Sequence, residues 1–471
     1  MKTSPLPVIR FPQGMFPEVR KLLLADRERE AFALLLGRRT VVDGLCVIKV
    51  VEVVHPAPED YEGRSLVSIR LKREFVYRQL VRMQQEGDVD TLIDVHTHPF
   101  CPDGASFSGV DDRDERNFVR WLDDTLEEVC YGSIVLSQSD YSARVWGLQE
   151  GRPVAAPARV KTQIIAEAWP CADSGNHGIS SESATEPDKG ILARTTLALG
   201  LDVMRTIVSD QTIAVVGVGG LGSVIAENLI HMGFQSVQLI DPDIVEITNL
   251  NRIVGAYYSD ALESRSKVEV VGGHLRRINP DAVIEAHAVG IEDESALPAL
   301  MRSDWIVVAT DNHFSRFHAQ KIALQLGVPL ISAGVNITVK ENRIADWSGE
   351  VIVTRSGDSL CLNCLGRINP TLVAAYEYRA DTIGKELVNK GYVTGQEVKE
   401  PAVKTLNSII GAMAVDALLN QFTERQRHVP VIVYGSNQLP VIYPDDEWQT
   451  NHAASCYWCA TTTGATKGST K

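Results

Sequence analysis

Residues 215–223 read Val-Val-Gly-Val-Gly-Gly-Leu-Gly-Ser, and Asp241-Pro-Asp243 follows one strand later. Glycines at Gly217, Gly219, Gly220 and Gly222 let a backbone turn tightly and approach a phosphate. The helix expected to begin at Ser223 adds unpaired N–H groups and the positive end of its dipole. Asp241, ending an apolar run, is placed to hydrogen-bond a ribose. Asn249-Leu-Asn251-Arg252, Lys267 and Asp311-Asn312 come after it. Arginine and lysine at those places suit a triphosphate rather than a nicotinamide, although an ordinary dinucleotide-binding oxidoreductase remains an alternative.

A second chemistry lies upstream, in Asp94-Val-His96-Thr-His98-Pro99 and Ser106-Phe-Ser108-Gly-Val-Asp111. Histidines at i and i+2 of a strand point to one face, so both imidazoles can reach one ion. Asp111 can close a third ligand position, and three protein ligands with one open position describe a catalytic zinc site. A third group is Cys361-x-x-Cys364 with Cys456-x-x-Cys459. Two such pairs can close a tetrahedral thiolate zinc site; a redox dithiol is the competing assignment.

These residues need elements to hold them. Thr212–Val216, Ser236–Ile240 and Trp305–Thr310 are expected strands, Ser223–Met232 an expected helix, and Ala402–Phe422 a mostly buried helix. Pro17–Leu36 is expected to be helical, followed by strands over Thr40–Val54 and Leu66–Leu71. A Ser-, Gly- and Glu-rich stretch at residues 166–190 predicts a flexible connector. The expected organisation is an α+β domain over 1–150, a linker over 151–190, a Rossmann-like domain over 191–460 and a disordered tail over 461–471.

Gly217-x-Gly219-Gly220-x-Gly222-Ser223, Asp241, Asn249-x-Asn251-Arg252, Lys267 and Asp311 together resemble the ThiF/MoeB/HesA family, whose adenylating fold is shared with ubiquitin-activating enzymes. The resemblance implies ATP, with Asp241 on the ribose, Arg252 and Lys267 on the phosphates and Asp311 on Mg2+. It also implies a homodimer in which Arg194 reaches the partner's phosphates. The family often carries the same two cysteine knuckles, which implies a structural zinc at Cys361, Cys364, Cys456 and Cys459.

Glu30, His96, His98, Ser108 and Asp111 resemble the JAB/MPN (JAMM) metalloisopeptidase family. The resemblance implies a zinc ion on His96, His98 and Asp111, with Glu30 as general base and Ser108 as donor to a developing oxyanion. Glu28 competes with Glu30. The longer spacer leaves Ser106 beside Ser108, and only Ser108 has an aspartate three residues on.

The chain has 471 residues and a net charge of −14, with 44% hydrophobic and 23% charged residues. That composition buries a large core and argues against a mainly nucleic-acid or anionic-membrane partner. Absence of a long apolar run or an apolar leader predicts a cytoplasmic location. Ubiquitin-activating relatives place a catalytic cysteine ahead of the late helix, but no cysteine lies between Cys364 and Cys456. Thr382, Thr394 and Thr405 stand there instead, and Thr394 is nearest the expected place of a nucleophile.

The combined expectation is an α/β chain joining a JAB/MPN domain to a ThiF-type adenylation domain. It would adenylate the C-terminal glycine of a ubiquitin-like or sulfur-carrier protein and cut peptide or isopeptide bonds after that carrier. A conjugating-enzyme partner and a bacterial pathway such as antiphage defence, sulfur transfer for a cofactor, or a catalytically dead scaffold are the alternatives carried forward.

Overall fold

A computed structural model of the chain describes residues 5–66, 68–87, 89–99, 104–126, 129–149, 151–162, 190–358, 360–377, 403–437, 439–445 and 456–459. The chain divides into two compact units near residue 183.

The first unit runs β1 (Val8–Arg10), α1 (Met15–Leu23), β2 (Phe32–Val42), β3 (Leu45–Val54), β4 (Tyr61–Arg64), β5 (Ile69–Leu71), α2 (Arg73–Glu86), β6 (Thr91–Thr97), α3 (Gly109–Thr125), β7 (Cys130–Leu136), β8 (Tyr141–Gln149), β9 (Arg152–Pro157) and β10 (Arg159–Lys161). A mixed sheet has the order β10-β1-β3-β2-β6-β7-β8-β9. Phe16, Val19 and Leu23 of α1 pack on one face with Ala33, Leu35, Ile48, Ile93 and Ile134. Phe75, Leu80, Val119 and Leu122 of α2 and α3 pack on the other with Leu34, Leu36 and Leu92. A strand covered on both faces loses the apolar–polar alternation that marks a half-buried one.

That coverage explains a correction. The expected helix over Pro17–Leu36 ends at Leu23, and Phe32–Leu36 belongs to β2. Phe-Ala-Leu-Leu-Leu is a continuous apolar run because both its faces are buried, and such a run does not distinguish strand from helix. The strand expected over Thr40–Val54 is a hairpin, β2 and β3, turning at Asp43-Gly44, both at positive φ of 50° and 79°. Asp-Gly is the pair that a two-residue hairpin loop of this hand favours. The sheet also continues through β9 and β10, within residues first given to the linker.

The second unit comprises α4 (Ala193–Leu199), α5 (Leu201–Asp210), β11 (Thr212–Val216), α6 (Gly220–Met232), β12 (Ser236–Ile240), α7 (Tyr258–Leu262), α8 (Lys267–Ile278), β13 (Val283–His287), α9 (Leu297–Arg302), β14 (Trp305–Val308), α10 (His313–Leu326), β15 (Leu330–Lys340), β16 (Arg343–Thr354), α11 (Pro370–Glu377), α12 (Lys404–Thr423), β17 (Val431–Gly435) and β18 (Val441–Pro444). Its sheet order is β13-β12-β11-β14-β15-β16-β17-β18. The strands from β13 to β15 are parallel, and β16 to β18 extend the sheet antiparallel. The chain winds one way from β11 to β12 and β13, then returns to β14 on the other side of β11. That reversal opens a crevice beyond the C-terminal ends of β11 and β14, where doubly wound sheets bind ligands. The fold class is therefore α/β, a mixed α+β unit followed by a Rossmann-type unit.

Candidate functional site

In the first unit, β6 and β2 build the histidine site. Phe32 of β2 pairs with His96 of β6, so the residues just before β2 meet the C-terminal end of β6. His98 lies one residue past that end, and its ring centroid is 5.2 Å from that of His96. Asp111 enters from the first turn of α3, with Oδ1 3.6 Å from His96 Nε2 and Oδ2 3.6 Å from His98 Nε2. One ligand atom from each of the three lies within 4.8 Å of the others. Ser108 is the N-cap of α3: its Oγ accepts the Asp111 N–H at 3.2 Å, and its own N–H donates to Asp111 Oδ2 at 2.6 Å. Ser-x-x-Asp is thus a capping box, and it also sets the carboxylate between the two imidazoles.

These groups fit a cation. His96 Nε2 is buried without a hydrogen-bond partner. Burial works against protonation of His96, yet Asp111 and Asp94 outweigh it and raise its pKa to about 10. The site therefore favours positive charge between His96 and Asp111. Asp94 was not anticipated: its Oδ2 lies 2.9 Å from His96 Nδ1, and its other oxygen accepts the hydroxyl of Tyr131. That arrangement leaves Nε2 as the ligating nitrogen and fixes the ring. Asp94 stands two residues before His96, on the same face of the strand, which is the signal that could have revealed it.

Glu30 is 5% exposed, immediately before β2, whereas Glu28 is exposed. Its N–H donates to the Ser65 carbonyl at 2.8 Å, and Arg64 Nε donates to its carbonyl at 2.9 Å. Burial, opposed by His96 and reinforced by Asp111, pushes its carboxyl up to about 7. Ser106 is exposed and Ser108 half-buried.

In the second unit, the glycine loop leaves β11 at Gly217, whose φ is +83°. A methyl group on Gly222 would stand 1.8 Å from the Gly217 carbonyl oxygen, so a side chain there is excluded. Asp241, at the end of β12, accepts the Val218 N–H at 2.6 Å and the Asp243 N–H at 2.9 Å. Its buried carboxylate braces the loop. Ser223 is fully buried, accepting from the Val254 N–H at 3.1 Å and facing the Gly220 carbonyl at 3.4 Å. Its hydroxyl is therefore committed to the protein. Asn249 accepts the Glu246 N–H at 3.1 Å. Arg252 donates to the Thr248 carbonyl at 2.7 Å and to Asn251 Oδ1 at 3.0 Å, and its stem lies against Gly220. Lys267 Nζ is 2.7 Å from Asp243 Oδ2. Asp311 is exposed, three residues past the end of β14, whose Val308 pairs with Val216 of β11. Arg194 is exposed on α4, and Thr394 lies outside the described residues.

The four expected cysteines converge although 95 residues separate the partners of each cross-knuckle pair. Sγ separations are 3.6 Å for Cys361–Cys364, 3.8 Å for Cys361–Cys456 and 3.4 Å for Cys364–Cys459. A tetrahedron of thiolates about 2.3 Å from zinc has edges of about 3.8 Å. Disulfide sulfurs are about 2.05 Å apart, so none of these contacts is a disulfide, and their separations fit a metal cage. A hydrogen bond from Cys459 favours the thiolate at Cys361.

Comparison with known proteins follows the same division. A model described as the ThiF family matches residues 192–439. One described as prokaryotic homologs of the JAB domain matches residues 12–147. Ubiquitin-like modifier-activating enzyme 5 of Drosophila mojavensis is 30% identical over 191 residues, 38% of this chain and 44% of that protein. The enzyme of the same name from Xenopus laevis is 31% identical over 187 residues, 37% and 44% of the two chains. The chain thus spans less than half the length of these curated relatives. Among solved structures, E. coli MccB with ATP is similar with a TM-score of 0.44 at 19% identity, over 59% of this chain and 76% of that one.

Proposed function

The chain belongs to the ThiF family and carries an N-terminal domain similar to prokaryotic homologs of the JAB domain, and from that premise we propose a bifunctional enzyme of a bacterial ubiquitin-like protein pathway. Its second unit adenylates the C-terminal glycine of a ubiquitin-like protein with ATP. Its first unit cleaves peptide or isopeptide bonds that follow that glycine. The observation that carries this reading is one chain holding both a glycine loop at a topological switch point and a cluster of buried His96 and His98 with half-buried Asp111 beside Glu30.

In the adenylation step a carboxylate oxygen of the terminal glycine bonds to the α-phosphorus of ATP. The bond from that phosphorus to the α–β bridging oxygen breaks, and pyrophosphate leaves with the electron pair. No proton moves, so the task of the protein is to spread negative charge. Arg252 and Lys267 supply positive charge on this side of the loop, Asp311 would hold Mg2+, and Arg194 would arrive from a second copy in a homodimer.

In the first unit His96, His98 and Asp111 would hold zinc, which when bound polarises a carbonyl and acidifies water. Glu30, buried and with a raised pKa, takes the proton from the attacking water and returns it to the leaving amine. Ser108 Oγ accepts the Asp111 N–H, which leaves its own O–H to donate to the tetrahedral oxyanion. With no cysteine between Cys364 and Cys456, the acyl-adenylate passes directly to a nucleophile of a partner such as a conjugating enzyme.

ATP–pyrophosphate exchange tests the reading, with ubiquitin-like proteins ending in a free glycine as substrates. Exchange that needs such a protein supports it. Exchange that is absent with every candidate carrier, or undiminished in Asp311→Ala, refutes it.

A further inference from the structure

The late helix α12 reaches the glycine loop, and no motif announced it. A methyl group built on Gly411 would stand 3.2 Å from Val224 Cβ, and one built on Gly220 would stand 2.5 Å from Asn407 Nδ2. Asn407 therefore faces Gly220, and Gly411, four residues on, faces Val224, also four residues on. The two helices run parallel in matched register, and Phe422 meets Phe234 at the far end with ring centroids 5.9 Å apart. Parallel packing puts both N-termini at the same end, over the crevice. Since α12 starts three residues before Asn407 and α6 starts at Gly220, α12 overhangs the loop by about 4.5 Å at 1.5 Å per residue.

What stands at that overhang is polar. Asn407 is 3% exposed, and its side-chain amide makes no hydrogen bond among the described residues. The little surface it keeps leaves that amide within reach of a bound ligand, which can supply the partner that the protein does not. Lys404, in the first turn, donates to the Arg252 carbonyl at 3.3 Å. The N-cap Val403 offers no side-chain acceptor to the first-turn N–H groups. Asn407 and the stem of Arg252 flank Gly220 together, so whatever sits on the loop meets both.

We propose that the first turn of α12 completes the nucleotide site, with the Asn407 amide donating to a non-bridging oxygen of the phosphate on the glycine loop and Lys404 adding positive charge beside it. The ligand is the nucleoside 5′-phosphate part of ATP and of the adenylate. The inference rests on the adenylation reading and adds residues that contact the reacting phosphorus group.

The test uses the full chain without a protein substrate and compares AMP with adenosine by equilibrium dialysis. Asn407→Ala weakens AMP binding about 10- to 100-fold, the range for a hydrogen bond to a charged group, and leaves adenosine binding unchanged. Lys404→Met also weakens AMP selectively. Equal weakening of AMP and adenosine marks a merely structural residue and overturns the proposal, as does unchanged AMP binding in Asn407→Ala. If Asn407→Ala does not fold, Asn407→Leu, which keeps the bulk and removes the donor, is held to the same criterion. A wild-type chain that binds neither AMP nor ATP overturns the adenylation reading itself, a result visible before any variant is made.

Discussion

Asp94 and His96 form a hydrogen-bonded carboxylate–imidazole pair of 2.9 Å, with both side chains buried and Tyr131 donating to the second oxygen of the same carboxylate. Partners of this kind orient a ligating imidazole and raise its basicity. Asp94→Asn is expected to weaken metal binding at the first unit by about 10- to 100-fold, the usual effect of removing such a partner. Competition against a graded series of chelators measures it. Metal affinity equal to wild type would show that the pair has no part in ligation.

Glu30 is predicted to trade stability for catalysis. Its raised pKa means that the folded, metal-free protein binds this proton more tightly than the unfolded chain, whose value is the ordinary 4.5. Its contribution to stability therefore falls as pH rises from about 4.5 through about 7 and stays low above. Metal-free Glu30→Gln should melt above wild type at pH 8 and match it near pH 4, while the loaded variant loses about 10²-fold or more in isopeptide cleavage. Identical melting curves at pH 8 would contradict the burial argument.

The purified chain is expected to hold two zinc ions. His96→Ala should lose one and keep the second unit intact. Cys361→Ser should lose the other and lower the melting temperature of the second unit, because thiolate zinc contributes directly to folding. Elemental analysis beside calorimetry distinguishes the two, and unchanged zinc in His96→Ala would remove the peptidase assignment.

Arg194 is expected to act across a two-fold dimer, the commonest closed assembly. Arg194→Ala and Asp311→Ala subunits should each be inactive in pyrophosphate exchange. Mixing them regenerates sites that carry both residues. If both variants dimerise and the mixture stays inactive, Arg194 does not work in trans.

The absence of a cysteine between Cys364 and Cys456 predicts that ATP, Mg2+ and carrier leave no thiol-sensitive adduct on this chain. An adduct that resists reducing agent and yields to hydroxylamine would be an oxyester, with Thr394 the residue to inspect. Threonine is a weak nucleophile at neutral pH, but an acyl-adenylate is activated enough to meet it. Mass spectrometry locates the bond, and a dithiothreitol-cleavable link to any of the four knuckle cysteines would overturn their zinc assignment.

Local chemistry was legible in the sequence wherever the function lies in neighbouring residues. Gly217 to Ser223, His96-x-His98, Ser108-x-x-Asp111 and the two cysteine pairs each carry their meaning within a few positions, because a tight turn, one strand face, a helix cap and a metal knuckle are all short-range objects. The strand–helix alternation around β11, β12 and β14 was legible for the same reason. Glu30 was found by motif but placed on the wrong element, since Phe32–Leu36 is apolar on both faces and period alone does not separate a doubly buried strand from a helix. Tertiary structure alone decided the rest. It linked Tyr131 to Asp94 across neighbouring strands and laid Asn407 over Gly220 across 187 residues of chain. Those contacts depend on strand order and helix register, which arise from packing a whole core and leave no trace in the spacing of the residues they bring together.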